Sequence, residues 1–235
     1  MRVLFLVFVT IVTARVTNPQ RQLYDLEDEI REKLENLRST VRGSISAAIS
    51  SVDNMMRQLF SFRNYAMLSA TSAARELFQT FNNQITTLKD LAHAANQNID
   101  VCLENNEPLL TDLYEDVVNI LWECLTFADR EMSIIQKEAN YKIDTLMSEV
   151  NMFDFQVDLC AGDFLCMSSL ITEIELAMIK IPQKIGLEVE QVNELFNELK
   201  VLIQECMDSK LAHITTEGGA IVTKITDCVN NILIV

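Results

Sequence analysis

Six cysteines are the residues of this chain whose types and spacing suit a shared chemistry, and that chemistry is oxidation to three disulfides. Cys160 and Cys166 bound a short segment, Cys160-Ala161-Gly162-Asp163-Phe164-Leu165-Cys166, and the other four lie almost symmetrically about it. The residue numbers of Cys124 and Cys206 sum to 330, as do those of Cys102 and Cys228, while Cys160 and Cys166 sum to 326. Residues that face each other across an antiparallel hairpin have a constant sum. Of the fifteen pairings six cysteines allow, the nested one follows: Cys160 with Cys166, Cys124 with Cys206, and Cys102 with Cys228. Cys102 to Cys124 and Cys206 to Cys228 are both 22 residues, about six helical turns, so the cysteines can share one face.

Other reactive side chains do not converge in the sequence. His93 sits in the alanine-rich stretch Leu91-Ala92-His93-Ala94-Ala95 and reads as a surface or partly buried residue. His213 reads as a side chain near a helix end, favoured there by the helix dipole. Neither has a partner at motif spacing, and HExxH, EF-hand, CxxC and paired Glu-x-x-His patterns are all missing from the sequence. Gly218-Gly219 lacks the surroundings of a phosphate loop, and Asp25-Leu26-Glu27-Asp28-Glu29 reads as a solvated helix face. The expectation is therefore a protein that is not an enzyme, with no catalytic residue, no cofactor and no metal.

The positions that must carry the cysteines repeat with helical period. From Leu23 to Cys102 the apolar residues advance 79 positions in 22 steps, about 3.6 per step, the period of an amphipathic helix. Gly43, flanked by Ser39, Thr40 and Ser44, is the weakest point, and a kink or break is expected there. Residues 21 to 42, rich in alternating acids and bases, read as a loosely packed or projecting segment. Asn105-Asn106-Glu107-Pro108 is expected to end this first helix.

A second helix is expected over 109–158, with Leu110, Leu113, Val117, Leu121, Cys124, Ala128, Ile135, Ala139, Ile143, Leu146, Val150 and Phe153 inward. A third is expected over 167–216, its inner face running through Leu170, Ile174, Met178, Ile181, Ile185, Val189, Val192, Leu195, Leu199, Leu202 and Cys206, with a kink at Pro182 and Gly186. Gly218-Gly219 should break the chain before a short last helix over 220–233. Five glycines and three prolines in 235 residues leave little turn chemistry for a sheet. The fold expected is all-α: an elongated antiparallel three-helix bundle of long helices, some 75 to 90 Å long at ~1.5 Å per residue, with nested disulfides and a short C-terminal helix.

Residues 1–14 hold one positive charge, a short apolar run and small residues suited to cleavage after Ala14, the pattern of a secretory signal peptide. The domain reading is thus signal peptide 1–14, N-terminal helical extension 15–43 and disulfide-stapled bundle 44–235. Oxidised cysteines fit a secreted, extracellular product. The formal charge is -15, or -16 once Arg2 is removed with the leader, and such a surface repels nucleic acid and anionic membranes. The apolar C-terminus from Val229 to Val235 is too short to span a bilayer. Nine methionines outside the leader read as core filling, and Trp122 is expected to pack near the Cys124 bridge.

With its signal peptide, long helices, spaced cysteines and acidic surface, the chain resembles the tsetse EP domain family of insect secreted proteins over most of residues 20–230. The resemblance implies an extracellular insect protein of largely unassigned activity. The family's namesake carries a Glu-Pro repeat that this chain lacks, so nothing attributed to that repeat carries over. The function expected is a secreted, non-enzymatic interaction or structural module with an unknown extracellular protein partner. The alternative is an extracellular carrier of lipids or other small apolar ligands.

Overall fold

The computed structural model describes residues 19–234, and side chains from residue 23 onward. The expected signal peptide lies outside the described residues. Four helices account for nearly all of the rest: α1 Pro19–Ala94, the single-turn α2 Asp100–Leu103, α3 Glu107–Cys160 and α4 Phe164–Leu233. No strand occurs among the described residues.

Three expected boundaries differ. The first helix ends at Ala94 rather than near Asn105, because Asn96 adopts a left-handed conformation (φ 51°). The Gln97 amide then reaches back to the Ala92 carbonyl and the Asn96 amide to the His93 carbonyl, the paired bonds of a Schellman stop. Asn98 restarts the chain by accepting the Asp100 amide on its side-chain oxygen at 2.7 Å. Gly43, in contrast, lies within unbroken α1, and Gly218-Gly219 within unbroken α4, so there is no separate C-terminal helix. The same continuity carries α4 through Pro182 and Gly186. Glycine costs a helix only about 1 kcal/mol relative to alanine, and the buried neighbours on either side outweigh it. Val41 and Ala48 flank Gly43, while Ile214, Ile221 and Val222 flank the glycine pair.

The turn between α3 and α4 is built from three residues. Gly162 takes φ 83°, and the Asp163 amide bonds the Cys160 carbonyl at 2.9 Å. One Asp163 carboxylate oxygen accepts the Leu165 and Cys166 amides at 3.0 and 3.1 Å, capping α4. At the other end of α3, Pro108 falls in the first turn, where its missing N–H has no intrahelical partner to lose.

The chain forms two compact units, to each of which α1, α3 and α4 contribute a stretch. Unit 1 comprises the described residues through Ile45 together with Asp144–Lys184. Its core joins Ile30, Leu34, Leu37 and Val41 of α1 to Leu146 and Val150 of α3 and to Met167, Leu170, Ile174 and Ile181 of α4. The α1 segment expected to pack loosely is therefore docked. Four buried aliphatic side chains, each contributing roughly 1.5–3 kcal/mol, outweigh the solvated charges of its outer face.

Unit 2 comprises Ser46–Ile143 and the residues from Ile185 on. One buried cluster within it draws on α1, α2, α3 and α4. On α4 the buried series is Val192, Phe196, Leu199, Ile203 and Met207, whereas Leu195 and Leu202, expected inward, are exposed. Apolar residues at both 195 and 196, and at 202 and 203, let the pattern be read one residue early toward Cys206. Leu125, absent from the expected inner face, is buried, as is Ala74 on α1.

Candidate functional site

The cysteines are joined as Cys102–Cys228, Cys124–Cys206 and Cys160–Cys166, with Cα atoms 5.7, 5.8 and 5.3 Å apart. None is free. The first two pairs lie in unit 2 and the third bridges the α3–α4 turn in unit 1. In each pair one partner is buried (Cys102, Cys124, Cys160) and the other half-buried, so the thiols serve as links between elements and offer no exposed nucleophile.

The histidines do not converge with other ligands. His93 is exposed, and His213 lies well inside α4, its Nδ1 3.5 Å from Glu217, rather than at a helix end. The dipole argument for His213 fails because α4 continues to Leu233. Among the described residues no group of three or more His, Cys, Asp or Glu side chains could hold a metal ion, and no helix is long and apolar enough to cross a membrane.

A mixed polar and aromatic cluster occurs in unit 2. The Arg63 guanidinium lies 5.1 Å from the Phe60 ring centroid and 5.9 Å from that of Trp122, and it pairs with Asp129. Its Nε is buried without a hydrogen-bond partner. Trp122 is half exposed, not packed inward beside the Cys124 bridge, because Leu121 and Leu125 occupy the inner face there. The Asp129 pair and the two ring contacts suit a clamp between α1 and α3.

The feature of unit 1 that stands apart is its outer face. On α3, Met152, Phe155 and Leu159 are spaced i, i+3, i+7 and exposed, on the side opposite buried Leu146 and Val150. On α4, Leu165, Leu176 and Ile179 share the side opposite Met167, Ile174 and Ile181, and Leu165 is 78% exposed. A shallow cleft of about 320 Å³ runs between the two helices beside Met152 and Leu176. Phe164 adds a further exposed ring at the turn. Sequence reading gave these helices a single inner face and took Met152, with the other methionines, as core filling, whereas Met152 is 64% exposed. The signal it passed over is a second apolar stripe half a turn from the first.

No protein-family model, no curated protein and no solved structure matches this chain.

Proposed function

We propose that the protein is a secreted, non-enzymatic helical module that binds an extracellular protein partner through the outer face of unit 1. The observation carrying this reading is the double apolar stripe of Met152, Phe155 and Leu159 with Leu165, Leu176 and Ile179. Contiguous exposed apolar surface is what interaction sites present. Glu149, Glu173, Lys180 and Lys184 line the cleft beside it, with Lys184 held by Glu149 at 2.7 Å, so its polar edge carries both signs, while the net charge of -15 disfavours an anionic bilayer. An extracellular compartment is supported by the leader-like residues 1–14 and by three disulfides, which persist in oxidising surroundings. The resemblance to the insect tsetse EP domain family agrees with that compartment. The near-equal cysteine sums and the helical period from Leu23 to Cys102 together support an elongated antiparallel three-helix bundle as the form in solution. A carrier whose helices part to admit lipid is the weaker reading, because Cys102–Cys228 and Cys124–Cys206 would resist such opening.

The test compares the parent with a Phe155→Glu/Leu165→Glu variant, using sedimentation of the pure proteins and of each added to the extracellular fluid of the source. The parent is expected to enter a complex that the variant, with unchanged helicity and disulfides, does not form. A parent that sediments as a free monomer in both settings, or a variant that still forms the complex, overturns the proposal.

A further inference from the structure

A cleft of about 450 Å³ lies between α1 and α3 of unit 2. Two facing stripes line it: Arg75, Phe78, Asn82 and Ile85 follow one face of α1, and Glu107, Leu110 and Tyr114 one face of α3. Phe78, Ile85 and Leu110 are buried and form an apolar floor. Tyr114, half exposed, forms a wall whose ring stands edge-on to Phe78, with centroids 5.1 Å apart. Phe78 is in turn backed by Phe81 at 5.8 Å, and Phe81 rests against the α4 backbone at Gly218. The floor is thus a continuous stack of rings braced on a helix backbone.

The polar groups are asymmetric. Arg75 is the cation of this lining, and its guanidinium makes no hydrogen bond or ion pair among the described residues. Glu107, the lining's acid, is held by Lys89 at 2.6 Å. The Thr111 hydroxyl donates to the Glu107 backbone carbonyl at 3.1 Å. A ligand entering the cleft therefore meets one unpaired guanidinium above an apolar, aromatic floor. The volume falls within the roughly 300–1,000 Å³ of small-molecule sites.

We propose that this cleft binds a small amphipathic anion, a carboxylate or sulfonate carried on an apolar body. The anionic head meets Arg75, whose planar fork of donors matches a carboxylate edge, and the body lies over Phe78, Leu110 and Tyr114. A net charge of -15 opposes anions at long range. A bare anion such as acetate accordingly gains too little, and the apolar body supplies the remainder by burial against the floor. The cleft belongs to unit 2, so the inference stands apart from the interaction face of unit 1.

The experiment is calorimetric titration of the full, disulfide-bonded protein with naphthoate and with its neutral counterpart naphthamide. Naphthoate is expected to bind saturably with one site per chain. Arg75→Gln, at an exposed position, should weaken naphthoate about tenfold, one charge-assisted contact's worth, and leave naphthamide unchanged. Tyr114→Ala should weaken both ligands. Helicity by circular dichroism checks that each variant is folded. Absence of saturable naphthoate binding overturns the proposal. So does binding indifferent to Arg75→Gln, which would put the anion elsewhere, for example beside Arg63, and so does equal weakening of both ligands by that variant.

Discussion

At Gly218 an added Cβ would lie 2.3 Å from Cε2 of Phe81, and the ring that would have to move is 6% exposed and packed edge-on against Phe78. Next to it, a Cβ on Gly219 would meet open space. The two positions thus separate packing from helix propensity within one pair of residues. Gly219→Ala is expected to raise stability by about 0.5–1 kcal/mol, the propensity gain. Gly218→Ala should instead lower it by about 1–3 kcal/mol, the usual cost of overpacking. Urea unfolding of the disulfide-intact proteins measures both, and a Gly218→Ala protein as stable as Gly219→Ala would rule out the close contact. A similar contrast holds at the α3–α4 turn. Asp163→Ala removes a cap from two amides and should cost about 1 kcal/mol in the same assay. Glycine was legible in the sequence as an irregularity but not as a close approach. Which glycine faces a ring depends on α1 and α4 meeting at that turn, and residues 81 and 218 are far apart along the chain.

The helices themselves were legible wherever period and composition agreed, and misread where a single residue was given more weight than its neighbours. A kink or break was expected at Gly43 and a break at Gly218-Gly219, yet α1 and α4 run through them unbroken, while Asn96, the residue that does stop α1, was not singled out. An asparagine at the left-handed position is a weak sequence signal because it differs from an ordinary exposed helical residue only in backbone conformation. The charge-rich start of α1 was misread for a related reason. Its outer face is polar enough to suggest a free helix, yet Ile30 and Leu37 are fully buried. Leu37→Ala is accordingly expected to destabilise by about 2–5 kcal/mol and to raise amide exchange across residues 30–41, whereas a loosely held segment would show neither effect. The ion pairs of this element tie it to both other long helices, Lys33 to Glu175 at 2.6 Å and Arg38 to Asp154. The hydrogen bond to Glu175 holds the Lys33 ammonium above its ordinary 10.5. Because the folded value is the higher one, the contact's contribution is complete below the unfolded value and is lost as pH rises through the folded one. A side-chain NMR titration should place Lys33 above 10.5 in the parent and closer to it in Glu175→Gln. Titration at or below 10.5 in the parent would remove the pair from the account of docking.

Across the whole molecule the bridges differ in what they restrain, and their sequence separations set the order. Cys102–Cys228, Cys124–Cys206 and Cys160–Cys166 span 126, 82 and 6 residues. Taken singly, the chain-entropy relation gives about 5, 4.5 and 2 kcal/mol. The nesting changes this arithmetic. With Cys124–Cys206 in place, closing Cys102–Cys228 restrains only two arms of 22 residues each, so the outer bridge then contributes about 4 kcal/mol. The cysteine numbering made this topology legible, since three near-equal sums constrain a hairpin more tightly than any single motif. Neither the outward stripe of unit 1 nor the cleft beside Arg75 could be read that way, because each requires knowing which of two apolar faces is left uncovered. The serine variants test the entropic order. Replacing Cys102 and Cys228 together should lower urea stability about twice as far as replacing Cys160 and Cys166 together. Replacing Cys124 and Cys206 should cost about as much as the outer pair, since each leaves the other to close one long loop. Equal losses from the short and the long bridges would mean that the restraint acts through local geometry at the links rather than through the entropy of the unfolded chain. The stapled core of unit 2 would then owe its stability to packing around Leu121, Phe196 and Ile203, with the bridges as secondary ties.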